Sequence, residues 1–385
     1  MSRFAKADGG AVGFITVSPI RSLLLAGALC CLAPCSALAA AAEGATPSGW
    51  HPFVEARAWA AYDAVAISDL GGDWSRGYSP KAGRNVLLQR GRAEIGVEKG
   101  DWRLGWEFRQ DATVVTDRQT LDFIRRYKQH STPPVGTTGA LAVQFNSWSA
   151  QGPRLGHWFG PASGGWMPRV YLSGAIYTKA ALREGDASGT VGYVAADQYD
   201  FNVRRTDANS RYRYPFMQQE PGASGASVSL AMAWRLSAAV SVDVNVDDVW
   251  SAMRWRNLPV KDDRLDSRVT QYDAQGYVNY LPLLSGTNRQ LARNSALARS
   301  GGATATVDFG PVALAAGVER LAGVTFPSLA LSHQFGWGKL TTRVETRFRT
   351  LGIGIDTGSF HLALQTDSLR LNQAKALGLS LGLRY

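Results

Sequence analysis

Apolar and polar residues alternate along most of this chain, which is the period that a β-strand produces. In residues 102–109 the even positions are Trp, Leu, Trp and Phe, and the odd positions are Arg, Gly, Glu and Arg. Residues 236–246 and 340–348 repeat the pattern with Leu or Val on one face and Ser, Asp, Arg or Glu on the other. A period of two sustained through a chain of 385 residues predicts an all-β protein.

The alternating segments lie close together and turn signals separate several of them. Gly100-Asp101, Gly310-Pro311 and Thr357-Gly358 stand between candidate strands, as expected for hairpins of an antiparallel meander. For segment 118–129 the pattern fits two structures, a short loop helix or the continuation of a strand. Together with the three segments above, the candidate strands are 53–67, 85–99, 139–149, 169–179, 189–204, 223–234, 302–309, 312–321, 324–336, 350–356, 359–366 and 376–385.

A soluble β-sandwich also alternates, and three features argue against one. The polar face carries charges of both signs, as in residues 90–94, and many strands exceed the five or six residues usual in globular sheets. The third feature is the end of the chain. Residues 376–385 place Leu377, Leu379, Leu381, Leu383 and Tyr385 on one face, and the aromatic residue is the last.

This ending resembles the C-terminal strand of bacterial outer-membrane β-barrel proteins. The resemblance implies a porin-like transmembrane barrel, antiparallel and up-and-down, in which Leu379, Leu381, Leu383 and Tyr385 form the signal for the barrel-insertion machinery. Bacterial single-chain barrels have even strand numbers, so we expect about 14 strands, within a range of 12 to 16. Trp50, Tyr62, Trp102, Trp234 and Trp250 are candidates for the aromatic girdles at the membrane interfaces.

The only long apolar run lies at 23–33, behind basic residues and before an Ala37-Leu38-Ala39 site. This predicts a cleaved signal peptide over residues 1–39 and a single barrel domain over 40–385. Cleavage would remove all three cysteines. We therefore expect export to the bacterial outer membrane and no disulfide in the mature chain.

Charged residues on the polar faces are the strongest functional feature, because those faces would line the lumen. The lumen-lining candidates are Arg90, Arg92, Glu94, Arg103, Glu107, Arg109, Arg343, Glu345 and Arg347. Two interpretations stay open. The charges either form an ion-paired filling, or they form a basic eyelet that favours anions, as rings of Arg do in channels. Segments 150–168, 205–222 and 257–300 are expected to be long external loops.

The leading hypothesis is a porin-like channel for small solutes. A narrower form of this hypothesis is that the solutes are anionic. The alternatives are a structural or assembly barrel with a filled lumen, a hydrophobic-substrate transporter, and a barrel enzyme. No catalytic or dinucleotide motif occurs, so we expect no enzyme, no catalytic residues, no metal site and no cofactor. Expected partners are outer-membrane lipid and lipopolysaccharide, the insertion machinery, and an oligomer or envelope-complex partner, but not nucleic acid.

Overall fold

The computed structural model describes residues 49–161, 167–195, 198–267, 270–272, 275, 278–280 and 283–385. Their strands form one antiparallel sheet that closes into a 14-stranded barrel. Closure joins the first strand to the last, with Phe53 opposite Arg384 and Ala61 opposite Ala376. The expectation of an all-β up-and-down barrel of about 14 strands is confirmed.

Each strand of the barrel runs antiparallel to its neighbours, and three strands are built from two segments in line. The strands are β1 His51–Tyr62, β2 Asn85–Lys99, β3 Trp102–Thr116, β4 Thr138–Phe159, β5 Arg169–Tyr177 with Lys179–Ala195, β6 Gln198–Asn209 with Gly222–Arg235, β7 Val240–Asp266, β8 Leu284–Ser295 with Ser300–Phe309, β9 Val312–Leu321, β10 Val324–Phe335, β11 Gly338–Glu345, β12 Thr350–Asp356, β13 Phe360–Thr366 and β14 Ala376–Arg384. A hairpin of Thr270–Tyr272 and Val278–Tyr280 lies between β7 and β8.

Two parts of the barrel wall differ in height. We name β4–β8 the tall half and β9–β14 the short half, and β1–β3 lie between them. Strand β7 has 27 residues and β4 has 22, whereas β12 and β13 have 7 each. Because a tilted strand needs about 9–11 residues to cross a bilayer, the tall half extends well beyond that thickness. We call the end with short connections, such as 100–101 and 310–311, the turn end, and the opposite end the loop end.

Apolar side chains cover the outside of the barrel. Trp102, Leu104, Trp106 and Phe108 are all exposed, as the alternation predicted, while their neighbours on β3 point inward. Aromatic residues gather on the outer wall, with Trp102 against His157 and Phe335 stacked on Trp337. The same exposed apolar character extends around the wall at Ile95, Leu155, Leu172, Ile176, Leu314, Leu329, Leu331, Val344, Leu351, Ile353 and Leu364.

Two expectations about aromatic residues are wrong. Tyr62 is buried beneath Leu70 and Ile67 and so cannot belong to an interface girdle. Strand β11 ends at Glu345, and residues 346–349 turn inward, so that Phe348 is buried instead of continuing the outer face. In both places a loop-end segment covers a side chain that periodicity alone would leave exposed.

Segment 118–129, open from the sequence, is a helix. Helix α1 spans Arg118–Lys128, and the Asp117 carboxylate accepts a hydrogen bond from the Thr120 amide at its N-terminus. The helix lies along β4 where β3 has ended. There Thr120 Oγ1 accepts a hydrogen bond from the Ala142 amide, and Gln119 Oε1 accepts one from the Ala140 amide. It therefore covers backbone donors of an otherwise open strand edge.

The expected external loops at 150–168, 205–222 and 257–300 are mostly wrong. Strand β4 continues to 159, β6 includes 205–209 and β7 continues to 266, with β8 starting at 284. The candidate strand 189–204 likewise spans parts of two strands. Parts of β5–β8 toward the loop end carry charges on both sheet faces: Glu184 pairs with Arg293 inside, and Asp207 with Arg205 outside. Alternation is weakened there, whereas residues 150–159 of β4 lie near the turn end and do place Leu155 and Phe159 on the outer face.

The predicted signal peptide lies outside the described residues, as does residue 40 at the start of the expected barrel domain. Among the residues that the structure describes, no helix is both long and apolar enough to span a membrane.

Candidate functional site

An ion-pair network fills the barrel interior beside β2, β3 and β7. We use this name for Glu55, Arg90, Arg92, Glu94, Arg103, Glu107, Arg109, Asp111, Arg154, Asp247 and Asp248. Its centre is Glu107, which is fully buried. The Glu107 carboxylate accepts hydrogen bonds from Arg154 Nη1 at 2.7 Å and from the Tyr177 hydroxyl at 3.2 Å.

The network crosses the interior from one wall to another. Arg90 and Arg92 of β2 both reach Asp247 of β7, Arg92 with a distance of 3.1 Å between Nη1 and Oδ1. Arg90 also donates to Ser300 Oγ on β8 at 2.9 Å. Four strands, β3–β6, lie between β2 and β7 in the sheet, so these ion pairs are bridges across the lumen.

A bulge in β7 supplies two adjacent acids to the network. Pairing between β6 and β7 shifts register between Val228 and Leu230, and Asp248 has a φ of 57°. A bulge turns consecutive side chains to one face. Asp247 therefore meets Arg92, and Asp248 accepts two hydrogen bonds of 2.8 Å from Arg109.

Above the network, the tall half is sealed by apolar side chains. Trp148, Tyr177, Met253, Trp255 and Leu258 form the centre of one buried cluster. Tyr177 also donates to Glu107, so the cluster and the network are continuous. The tall half has a packed interior at this level.

Nearer the turn end the barrel encloses a cavity, which we name the vestibule, lined by the short half, by β1–β3 and by the turn-end parts of β4–β7. Its volume is about 800 Å³. It reaches the turn end at Lys339, Asp356 and His361, and it stops toward the loop end at Trp59 and Phe326. The wall of β12–β14 is lined mostly by small residues, Gly352, Gly354, Ala363, Gly378 and Ser380, with Gln365 among them and Asp356 and His361 at the turn end.

Three aromatic rings close the vestibule toward the loop end. Trp59 contacts Phe326 and Phe348 edge-on, with ring centroids 5.2 and 5.8 Å apart, and Phe326 stacks on Phe348. We name Trp59, Phe326 and Phe348 the aromatic plug. Phe348 belongs to the turn between β11 and β12, which is held by Glu345: its carboxylate accepts the Phe348 amide at 3.0 Å.

An ion-paired latch holds the turn that carries Phe348. Arg347 donates two hydrogen bonds to the Asp63 carboxylate, at 2.8 and 3.0 Å, and Lys81 lies 2.8 Å from it. We call Asp63, Lys81 and Arg347 the latch. Burial by itself would raise the pKa of the Asp63 carboxyl, but the hydrogen bonds from Arg347 and Lys81 outweigh it and hold that pKa below its usual value.

The structure brings most of the predicted lumen residues together, in three separate settings. Arg90, Arg92, Glu94 and Arg103 belong to the network and line the vestibule, whereas Glu107 and Arg109 lie buried in the network behind it. Arg343 and Glu345 line the vestibule from β11. Arg347 was expected in a strand, but it lies in the turn after β11.

The terminal residues named as an insertion signal occupy β14 and its end. Leu379, Leu381 and Leu383 pair with β1 at Ala58, Ala56 and Val54. The Tyr385 carbonyl accepts a hydrogen bond from the His51 ring. Their role in insertion stays a prediction.

Three basic residues of the vestibule differ from the network arginines. Arg57, Lys339 and Arg343 line the cavity, and within the described part of the chain their side chains have no ion pair or hydrogen bond. The acids nearest along their strands are already engaged. Glu55 binds Arg103 and Arg384, and Glu345 accepts the turn amides.

Sequence reasoning missed Asp63, Arg154 and Asp248. Asp248 breaks parity through the bulge, and Asp63 follows the end of β1. Arg154 lay in a segment expected to be a loop. A parity count over 147–156 would have found Arg154, since it falls on the same face as Trp148 and Ala150. No group of His, Cys, Asp or Glu suited to a metal occurs among the described residues.

Among known proteins, this chain is similar to solved structures only. No family model and no curated protein matches the sequence. A TodX deltaS2S3 mutant monoaromatic hydrocarbon channel is 8% identical, with a TM-score of 0.40 over 88% of this chain and 90% of that one. The Ralstonia pickettii toluene transporter TbuX is 9% identical, with a TM-score of 0.31 over 88% and 90%.

The outer membrane protease OmpT from Escherichia coli is 7% identical, with a TM-score of 0.23 over 89% of this chain and 98% of that one. Such scores carry no argument about cargo or activity. The closed sheet, its apolar exterior and its charged interior define the architecture on their own. The chain is a closed 14-stranded antiparallel β-barrel whose apolar exterior and charged interior are typical of transmembrane barrels.

Proposed function

We propose that this protein is an outer-membrane channel for small hydrophilic solutes, with the vestibule on the periplasmic side. The vestibule carries the proposal: a cavity of about 800 Å³ lies inside a closed barrel and reaches its turn end. In bacterial barrels the short turns are periplasmic and the long loops extracellular. By that rule the part of the tall half beyond the membrane, at the loop end, projects outside the cell together with helix α1.

The lining of the vestibule favours hydrophilic cargo. Arg57, Arg343, Glu319 and Asp356 reach its surface, and an apolar solute would have to displace the water around them. Aromatic hydrocarbons are the cargo named for two of the compared structures. The charged lining here supports a different class of solute, and no turnover chemistry is part of the proposal.

The state described is closed toward the loop end. The aromatic plug blocks the vestibule, and the latch holds the turn that carries Phe348. Arg349, in the same turn, has a φ of 57°, which is unfavourable for a residue with a side chain. We infer that displacement of this turn opens the path.

A second candidate is a structural barrel with a filled lumen. The ion pairs between Arg90, Arg92 and Asp247 favour it, because they bridge opposite walls and reduce the open cross-section. Conductance across a planar bilayer separates the two. A channel with a latch conducts weakly as the native protein and several-fold more strongly once the latch is broken.

The test compares Asp63→Asn and Phe348→Ala with the native barrel. Asp63→Asn removes the charge that holds Arg347, and Phe348→Ala removes one ring of the plug. Asp73→Asn is the control, because Asp73 is an exposed loop acid that bonds within its own turn. Heat-modifiable gel migration confirms folding. Silence of both variants after verified insertion would reject the channel in favour of the structural barrel.

A further inference from the structure

We infer that the vestibule binds a short acidic oligosaccharide, held by Arg57 on one side and Arg343 on the other. The inference deepens the proposed channel function by naming a solute class. It begins from charge. Four of the seven basic side chains that line the vestibule are in ion pairs, and Arg57, Lys339 and Arg343 are not, within the described residues.

The placement of Arg57 and Arg343 fixes the shape of the ligand. Arg343 on β11 starts a cross-strand row that passes through Gly352, Gln365 and Gly378 to Trp59 on β1. One step closer to the turn end, a second row runs from Thr341 on β11 to Arg57 on β1. Four strand spacings separate β11 from β1, which is roughly 19 Å along the wall. We infer that an anion that meets both arginines across this stretch of wall is elongated.

The floor between the two arginines suits a chain of sugar rings. Gly354, Ala363 and Ser380 occupy the second row, so a flat molecule can approach the backbone closely there, while Gln365 and Trp59 bound the first row on the loop-end side. Ser380 and Thr341 add hydroxyl groups, and Gln365 adds an amide. Guanidinium groups bind carboxylates through two parallel hydrogen bonds.

Competing acids do not neutralise the arginines. Glu55 lies two residues from Arg57 and is held by Arg103 at 2.9 Å and Arg384 at 3.0 Å. Glu345 lies two residues from Arg343 and accepts the amides of the next turn.

Isothermal titration calorimetry of the detergent-solubilised barrel tests the site with trigalacturonate. We expect saturable binding to the native protein. Arg57→Gln and Arg343→Gln should each raise Kd by about tenfold or more, the scale of a lost hydrogen bond to a charged group. Arg320→Gln removes the same charge from the outer face of β9 and should leave Kd unchanged.

Neutral maltotriose has three sugar rings without carboxylates and should not bind, and acetate should not displace trigalacturonate at equal concentration. Equal binding of maltotriose, equal competition by acetate, or Kd values of both arginine variants like that of the native protein would overturn the inference. Calorimetry does not require conduction. Binding by a barrel that never conducts would keep this site and reject the channel, whereas conduction without binding would do the reverse.

Discussion

The tall half and the short half share the alternating pattern of inward and outward residues but differ in the size of their inward side chains. In the middle of the tall half the inward residues Trp148, Tyr177 and Trp255 are large, pack together and continue into the ion-pair network. In the middle of β12–β14 most inward residues are small, with Gln365 as an exception, and they leave the vestibule open. Inward side-chain size, and not strand number, therefore decides whether this barrel is filled or hollow at a given point.

The difference also separates stability from function. Buried apolar contacts and multiply bonded charges stabilise the tall half. Strand β1 and the short half contribute the unpaired arginines and the turn that closes the cavity. Substitutions in the buried tall half should cost more stability than substitutions in the latch, and substitutions around the vestibule should change passage and binding.

The largest effect is expected from Trp255→Ala in the tall half. Trp255 is 2% exposed and donates to Ser295 Oγ at 2.8 Å, so its removal leaves a cavity and an unpaired hydroxyl. We expect a loss of about 3–5 kcal/mol in the free energy of unfolding. Denaturant titration in micelles, followed by circular dichroism, measures it.

Trp250→Ala is the matched control, because Trp250 lies on the same strand and is 56% exposed on the outer face. If both variants lose equal stability, the packed interior of the tall half is not what holds it.

A loss of about 3 kcal/mol is expected from Glu107→Gln. The substitution leaves Arg154 and Arg92 buried with less opposing charge, while the shape of the side chain is nearly kept. Glu220→Gln changes an acid whose side chain is 85% exposed and should cost little. The same denaturant titration measures this loss. A free energy of unfolding for Glu107→Gln equal to that of the native protein would show that the network contributes no stability.

The smallest effect concerns the latch, and it depends on pH. Because the pKa of Asp63 is lowered in the folded protein, its contribution is fully present above the ordinary value of 3.8 and is lost as pH falls through the lower folded value. We expect about 2 kcal/mol between native protein and Asp63→Asn at pH 6, from hydrogen bonds to a charged group. The gap should shrink below pH 4. A gap that is constant with pH would mean that the Asp63 charge does not stabilise the latch.

The strand pattern of the short half and of β2–β3 follows from the sequence, because one face meets lipid and the other meets water. This difference gave the inward direction of Arg90, Arg92, Glu94, Arg103, Glu107, Arg109, Arg343 and Glu345 before any coordinates. The upper parts of β4–β8 lack that contrast, since Glu184 and Arg293 lie inside and Asp207 and Arg205 outside. Alternation therefore does not reveal the pairing at 205–209, 257–266 and 284–295, and the sequence predicts loops there, although it predicts strands at 139–149 and 189–204.

The sequence by itself determined the all-β class and the face that most of its regular strands present, because period-two alternation reports which environment each side chain meets, and with the resemblance of the last strand it predicted a barrel of about 14 strands. Tertiary structure decided which charges pair with each other, since Arg90 and Asp247 are 157 residues apart and meet only across the closed lumen. It also decided where the lumen is filled, because the bulge at Asp248 and the turn that carries Phe348 both break the alternation. Barrel closure sets the distance between walls, and local pattern contains no information about that distance.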